Sequence, residues 1–140
     1  MKISARNLLA GKVQHVTKGA VNAEVVLTLE GGEAVVAIIT NSSVDSLELA
    51  AGKAAFAIIK ASDVLVGKGV DGVKLSARNV LAGEVTKVQD GSVNSEVEIK
   101  LPGGTPIVAS ITKESVNALG LKAGDRVNAI VKASNVLMGV

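Results

Sequence analysis

Polar and apolar residues alternate strictly from Glu96 to Leu101, the period of a β-strand with one buried face. Glu24 to Leu29 keeps apolar residues at the matching positions Val25, Leu27 and Leu29 and is predicted to be the same kind of strand. Upstream of each lies a first strand, Leu9 to Val16 and Leu81 to Val88, closed by turns at Lys18-Gly19 and Asp90-Gly91. Downstream, Gly31-Gly32 and Gly103-Gly104 lead into a third strand, Val35 to Thr40 and Ile107 to Thr112. The period then changes. Asn41 to Leu47 and Lys113 to Leu119 carry apolar residues three apart behind Thr, Asn or Ser side chains able to cap, which predicts one or two helical turns in each. Leu49 to Gly52 and Leu121 to Gly124 end those turns. A fourth strand follows over Ala54 to Lys60 and Arg126 to Lys132, and a short apolar piece closes each set, Val64 to Val66 and Val136 to Met138.

The two sets are one module written twice. Ser4-Ala5-Arg6-Asn7 returns as Ser76-Ala77-Arg78-Asn79, and residues 4–67 aligned without a gap to 76–139 agree at 35 of 64 positions. Residues 68–74, with two glycines and several charges, read as a short connector. The expected domains are 1–67 and 75–140, joined by the linker 68–74. Three strands, a short helix and a fourth strand followed by a closing fifth is the order of an OB-type barrel. The fold class is therefore all-β, mainly β with one short helix per domain, as two tandem OB-like five-stranded barrels.

Composition narrows what such a chain can do. Apolar residues make up 48% of it, but Phe56 is the one aromatic and there is no Cys. Modules this small bury only about 60% of the surface their unfolded chains expose and usually lean on disulfides, a metal or association. Disulfides are excluded, and one His without Cys removes the usual ligands for a bound metal cation, so no metal site is expected. Association remains, and a homo-oligomer is expected. A net charge of +2 from interleaved basic and acidic residues names no partner. With no signal-like start and no run of about 18 apolar residues, neither export nor a membrane partner is expected, and the chain reads as cytoplasmic. Binding of single-stranded nucleic acid, open to this barrel class, needs stacking aromatics that one Phe cannot supply, so no nucleic acid partner is expected.

Duplication also filters the candidate chemistry, because a shared site must recur in both copies. Ser4, Arg6, Asn7, Val21, Asn22, Glu24 and Lys60-Ala61-Ser62 recur as Ser76, Arg78, Asn79, Val93, Asn94, Glu96 and Lys132-Ala133-Ser134. These positions fall at strand ends and turns, where side chains and backbone N–H groups leave the sheet. Arg offers a planar fork of donors, Lys a point charge and each Ser a hydroxyl, a set complementary to a small oxyanion and ill suited to a hydrated cation. A site made of donors also favours sulfate, molybdate or tungstate over hydrogen phosphate, whose proton wants an acceptor. The competing reading is structural: Arg6 and Lys60 as ordinary charges paired with Glu24 or its like, tying an assembly together. His15, matched by Lys87, and Glu24 and Glu96, each without a second carboxylate, make no catalytic set, so no catalytic residue and no enzyme is expected.

Ser-Ala-Arg-Asn, then Gly19 to Glu24 and Gly91 to Glu96, then Lys-Ala-Ser before the last strand, resemble the molbindins, small molybdate-binding proteins built of Mop domains. The resemblance covers nearly the whole chain with its motifs in order twice. It implies no cofactor, a ligand that is molybdate or tungstate, and three tandem subunits in a ring of six domains. Tandem copies also serve as sensors in molybdate-responsive regulators, and single copies end molybdate importer ATPases. With neither a helix-turn-helix nor a Walker loop, the chain resembles the free-standing form, which implies storage or homeostasis of the anion. The family further implies two kinds of site. Ser4, Arg6, Lys60 and Ser62, with Ser76, Arg78, Lys132 and Ser134, would form the first kind between subunits. Ala20, Val21 and Asn22, with Ser92, Val93 and Asn94, would form the second near the threefold axis through backbone amides. Asp63 stands where the second copy has Asn135, and a carboxylate there would weaken the Ser62 site unless it points away.

Overall fold

The strands form where the alternation lies. A computed structural model describes residues 2–140; Met1, at which the first domain is expected to begin, lies outside the described residues. The elements are β1 (Asn7–Lys18), β2 (Asn22–Leu29), β3 (Ala34–Thr40), α1 (Asn41–Ser46), β4 (Ala54–Ile59) and β5 (Leu65–Gly67), then β6 (Asn79–Gln89), β7 (Asn94–Lys100), β8 (Pro106–Thr112), α2 (Lys113–Leu119), β9 (Arg126–Val131) and β10 (Leu137–Gly139). In β7 the burial alternates as the sequence does: Ser95, Val97 and Ile99 face the core and Glu96 and Glu98 the other side. Thr40 and Thr112 cap the helices, each hydroxyl accepting from an amide three residues on, Ser43 and Ser115, at 3.0 Å. Gly120, at φ 59°, ends α2.

Each long first strand serves two neighbours because it is bent. β1 pairs with β4 along its first half and with β2 along its second, and one extra residue, Gln14, interrupts the β1–β2 register between Val13 and His15; Thr86 does the same in β6. Where the strands cross, only glycine fits: a Cβ on Gly11 would stand 2.1 Å from the Thr28 carbonyl oxygen.

The sequence order leaves each half to close its own barrel, and the structure closes them crosswise. The two sheets run β10-β4-β1-β2-β3 and β5-β9-β6-β7-β8. Leu65 pairs with Ile130 in the second half, and Leu137 with Ile58 in the first. A 3-10 turn not foreseen from the sequence precedes each closing strand, Ala61–Asp63 and Ala133–Asn135, and packs against β8 or β3 of the opposite half. Val64, Val136 and Met138 are buried, so each half owes part of its core to the other.

The connector also carries a structural task. In the first half, Lys53 caps the end of α1 through the Leu47 carbonyl at 2.8 Å. Its equivalent is Asp125, which instead draws in Lys68 at 3.1 Å, and that ammonium reaches the Leu119 carbonyl, also at 3.1 Å. The Lys122 amide, with Lys68 and the Lys122 side chain, holds the Asp125 carboxyl below the usual carboxylate range. Because the folded value is the lower one, the stabilisation is complete above the ordinary carboxylate pKa and is lost as pH falls through the folded value. Asp125→Asn is therefore expected to melt below wild type at neutral pH, with the gap closing under acid, as followed by thermal melts across pH.

Candidate functional site

The Ser-Ala-Arg-Asn segments sit at the junction of the halves, fixed by their asparagines. Asn7 is buried; its side-chain N–H donates to the Val108 carbonyl and its oxygen accepts from the Val108 amide, both at 2.8 Å. Asn79 makes the same two bonds to Val36 at 2.8 Å. A side-chain amide thus stands in for a neighbouring strand along the open edges of β3 and β8.

That anchorage sends each arginine to the opposite half. Arg6 donates to the Glu96 carboxylate, and Arg78 donates from both terminal nitrogens to the two oxygens of Glu24, at 2.6 and 3.2 Å. The Arg78 hydrogen bond holds the Glu24 carboxyl below its ordinary value, with His15 adding a weaker pull in the same direction, and Glu24 raises Arg78 in turn. The ion pairs anticipated as a structural alternative therefore exist, but crosswise: Glu24 is the partner of Arg78 rather than Arg6.

Lys60 and Lys132 stand beside these arginines. The β1–β4 ladder ends on the pair Asn7 and Ile59, and the β6–β9 ladder on Asn79 and Val131, so Arg6 leaves its sheet alongside Lys60 and Arg78 alongside Lys132. Both lysines are exposed, as are Ser4, Ser76, Ser62 and Ser134. Ser62 lines a cleft of about 310 Å³ together with Ser110, Thr112 and Ser115 of the other half. Sequence reasoning took Thr112 and Ser115 only as a helix cap; their recurrence as Thr40 and Ser43 was the available signal. Ser110 pairs with Glu96 across the β7–β8 ladder, so Arg6 and Ser62 converge on one strand pair of the second half. The position equivalent to Ser110 is Ile38, which makes the two copies unequal in hydroxyl donors.

The second set lies on the hairpin turns at the far end of β1 and β6. Val21 and Val93 are 71% and 72% exposed, unusual for large aliphatic side chains. The Gly19 amide donates to the Asn22 carbonyl at 2.8 Å, and the Asn41 amide to the Val21 carbonyl, also at 2.8 Å. The Lys113 amide holds Val93 in the same way at 2.9 Å. Asn94 pairs with Thr112, so the second turn of one copy borders the Ser62 cleft completed by the other. His15 is an exposed strand residue, and among the described residues no group of three or more His, Cys, Asp or Glu side chains is placed to hold a metal ion. Phe56 is half-buried against Gly139, with no second aromatic to extend a stacking surface.

Residues 3–66 and 75–138 each match the TOBE domain. The chain is 50% identical to ModG, described as a cytoplasmic molybdate-binding protein and crystallised with molybdate bound; the match covers 100% of this chain and 99% of that one, with a TM-score of 0.97. It is 44% identical to the molybdenum-pterin-binding protein MopA of Rhodobacter capsulatus and 41% identical to the molybdenum transport protein ModE of Azotobacter vinelandii, each over 140 residues. These alignments cover 100% of this chain but 53% and 52% of the relatives, so the chain spans about half the length of the curated relatives it matches.

Proposed function

Because the chain belongs to the TOBE domain family, with one domain in each half, we propose that it binds molybdate, and tungstate by the same chemistry, and holds the anion without chemical change. The observation that carries the reading is the full-length likeness to a protein crystallised with molybdate bound. The chemistry agrees with it: Arg6 and Lys60 leave the same end of one sheet, as Arg78 and Lys132 do of the other, and Ser110, Thr112 and Ser115 line the cleft that holds Ser62. The proposed first-kind ligands are Ser4, Arg6, Lys60 and Ser62 with Ser76, Arg78, Lys132 and Ser134; the exposed turns Ala20–Asn22 and Ser92–Asn94 are proposed as the second kind. The proposed role is storage or buffering of the anion, in the cytoplasm as described for ModG.

We also propose that the working form is a homo-oligomer of three such chains. Each sheet presents an apolar row on its outer face, Leu8, Ile58 and Leu137 on one and Val80, Ile130 and Leu65 on the other, aligned across the strands. The outer members of each row are exposed, and a second subunit would cover them. In sequence the domains are proposed to run 1–67 and 75–140 around the linker 68–74, although each sheet takes its last strand from the other.

Calorimetry with native mass spectrometry tests this reading. A trimer taking up several molybdate ions is expected, with little response to phosphate. Arg6→Ala with Arg78→Ala should weaken the first-kind sites about 30-fold or more, a charge-assisted hydrogen bond being worth ~2 kcal/mol or more. Equal binding of sulfate and molybdate would remove the selectivity. The structural reading has the crosswise Arg–Glu pairs in its favour; a lower melting temperature with unchanged anion affinity in the arginine variant would establish it instead.

A further inference from the structure

We propose that Glu24 and Glu96 are built-in competitors for the anion, each holding an arginine in the empty protein until a dianion displaces it. The inference rests on the anion-binding reading above. Arg78 gives both terminal nitrogens to the two oxygens of Glu24, at 2.6 and 3.2 Å. A guanidinium takes two oxygens of a tetrahedral oxyanion through the same fork, so carboxylate and ligand contend for the same donors. In the other half Arg6 donates from one terminal nitrogen to one oxygen of Glu96. All four side chains keep partial contact with solvent, which leaves the pairs open to exchange.

A displaced carboxylate has somewhere to turn. In the second half Lys87 lines the same hollow as Arg6, Glu96 and Glu98, and His15 occupies the equivalent position in the first. The competition also filters ligands by charge. A monoanion replacing a tethered carboxylate of equal charge gains little, because the carboxylate is already held in place, whereas a dianion gains a second charge opposite Arg and Lys. The glutamates would thus hold back chloride and other abundant monoanions while admitting molybdate, and would keep the arginines paired when no ligand is present.

The test is calorimetry with sodium molybdate on the full chain, comparing wild type with Glu24→Gln/Glu96→Gln, which keeps the hydrogen-bonding shape and removes the charge. The double variant is expected to bind molybdate about two- to fivefold more tightly per site, the range set by an exposed ion pair. It should also lose more of that affinity than wild type when sodium chloride is added. Glu30→Gln/Glu84→Gln, which removes the same charge from exposed positions at the far end of the β1–β2 and β6–β7 pairings, should leave affinity unchanged. Equal or weaker binding by the Glu24/Glu96 variant, or equal tightening by the control, would overturn the inference while leaving the anion-binding reading intact. If neither wild type nor variant takes up molybdate, that reading fails and the inference with it.

Discussion

Deleting residues 133–140 from the C-terminus is expected to open the first half of the protein and spare the second. The segment supplies β10 to β4 and a 3-10 turn to β3, both in the first sheet, while β9, its neighbour in sequence, keeps β5 as partner. Ala133, Val136 and Met138 are buried there. Loss of Val136 and Met138 alone removes about 4 kcal/mol of apolar burial, a large part of a domain's total stability of about 5–15 kcal/mol. Hydrogen exchange should show protection falling in Ala34–Thr40 and Ala54–Ile59 and persisting in Arg126–Val131. Protection lost mainly from Arg126–Val131 would mean that each half closes on itself in solution.

Asn7→Ala and Asn79→Ala should be the most destabilising single side-chain truncations at the junction of the halves. Each asparagine satisfies both polar groups of one edge-strand residue, Val108 or Val36, in a place that water reaches poorly. Removing the amide leaves a backbone donor and an acceptor without partners at about 1–3 kcal/mol each, so a loss of ~3 kcal/mol per substitution is expected. Asn→Asp separates shape from chemistry. It keeps the acceptor and loses the donor, so it should also destabilise, and an aspartate as stable as wild type would show that the paired bonds contribute little. Chemical denaturation of the single and double variants measures these effects, and the two sites, which share no hydrogen-bond partner, should be close to additive.

Strand and helix positions were legible because burial on one face of a sheet imposes a period of two, and Glu96 to Leu101 shows it undisturbed. The caps were legible for a similar reason, since Thr40 and Thr112 satisfy amides only three residues away. Contacts between the halves were not. Asn7 reads as a polar residue near a chain start, and nothing local says that its amide is buried against Val108, 101 residues on. Arg6 could be given a carboxylate partner in principle, but choosing Glu96 over Glu24 needed the fold, because the two lie in identical local settings. Of the hydroxyls that join Ser62, Ser110 reads as a strand residue and Thr112 and Ser115 as a helix cap, since their place in the cleft appears only when a 3-10 turn from the other half lies against β8.

By itself the sequence determined that there are two copies, that each is a small strand meander with a short helix, and that donors for an oxyanion recur in both. Those properties follow from local periodicity and residue chemistry. Which copy completes which could not be read from it: Val64-Leu65-Val66-Gly67 and Val136-Leu137-Met138-Gly139 are nearly the same peptide, so either fits either barrel almost equally well. Tertiary structure made the choice, because the asparagine bridges and the 3-10 turns aim each closing strand across the junction. The same geometry carries each arginine to the opposite half's glutamate.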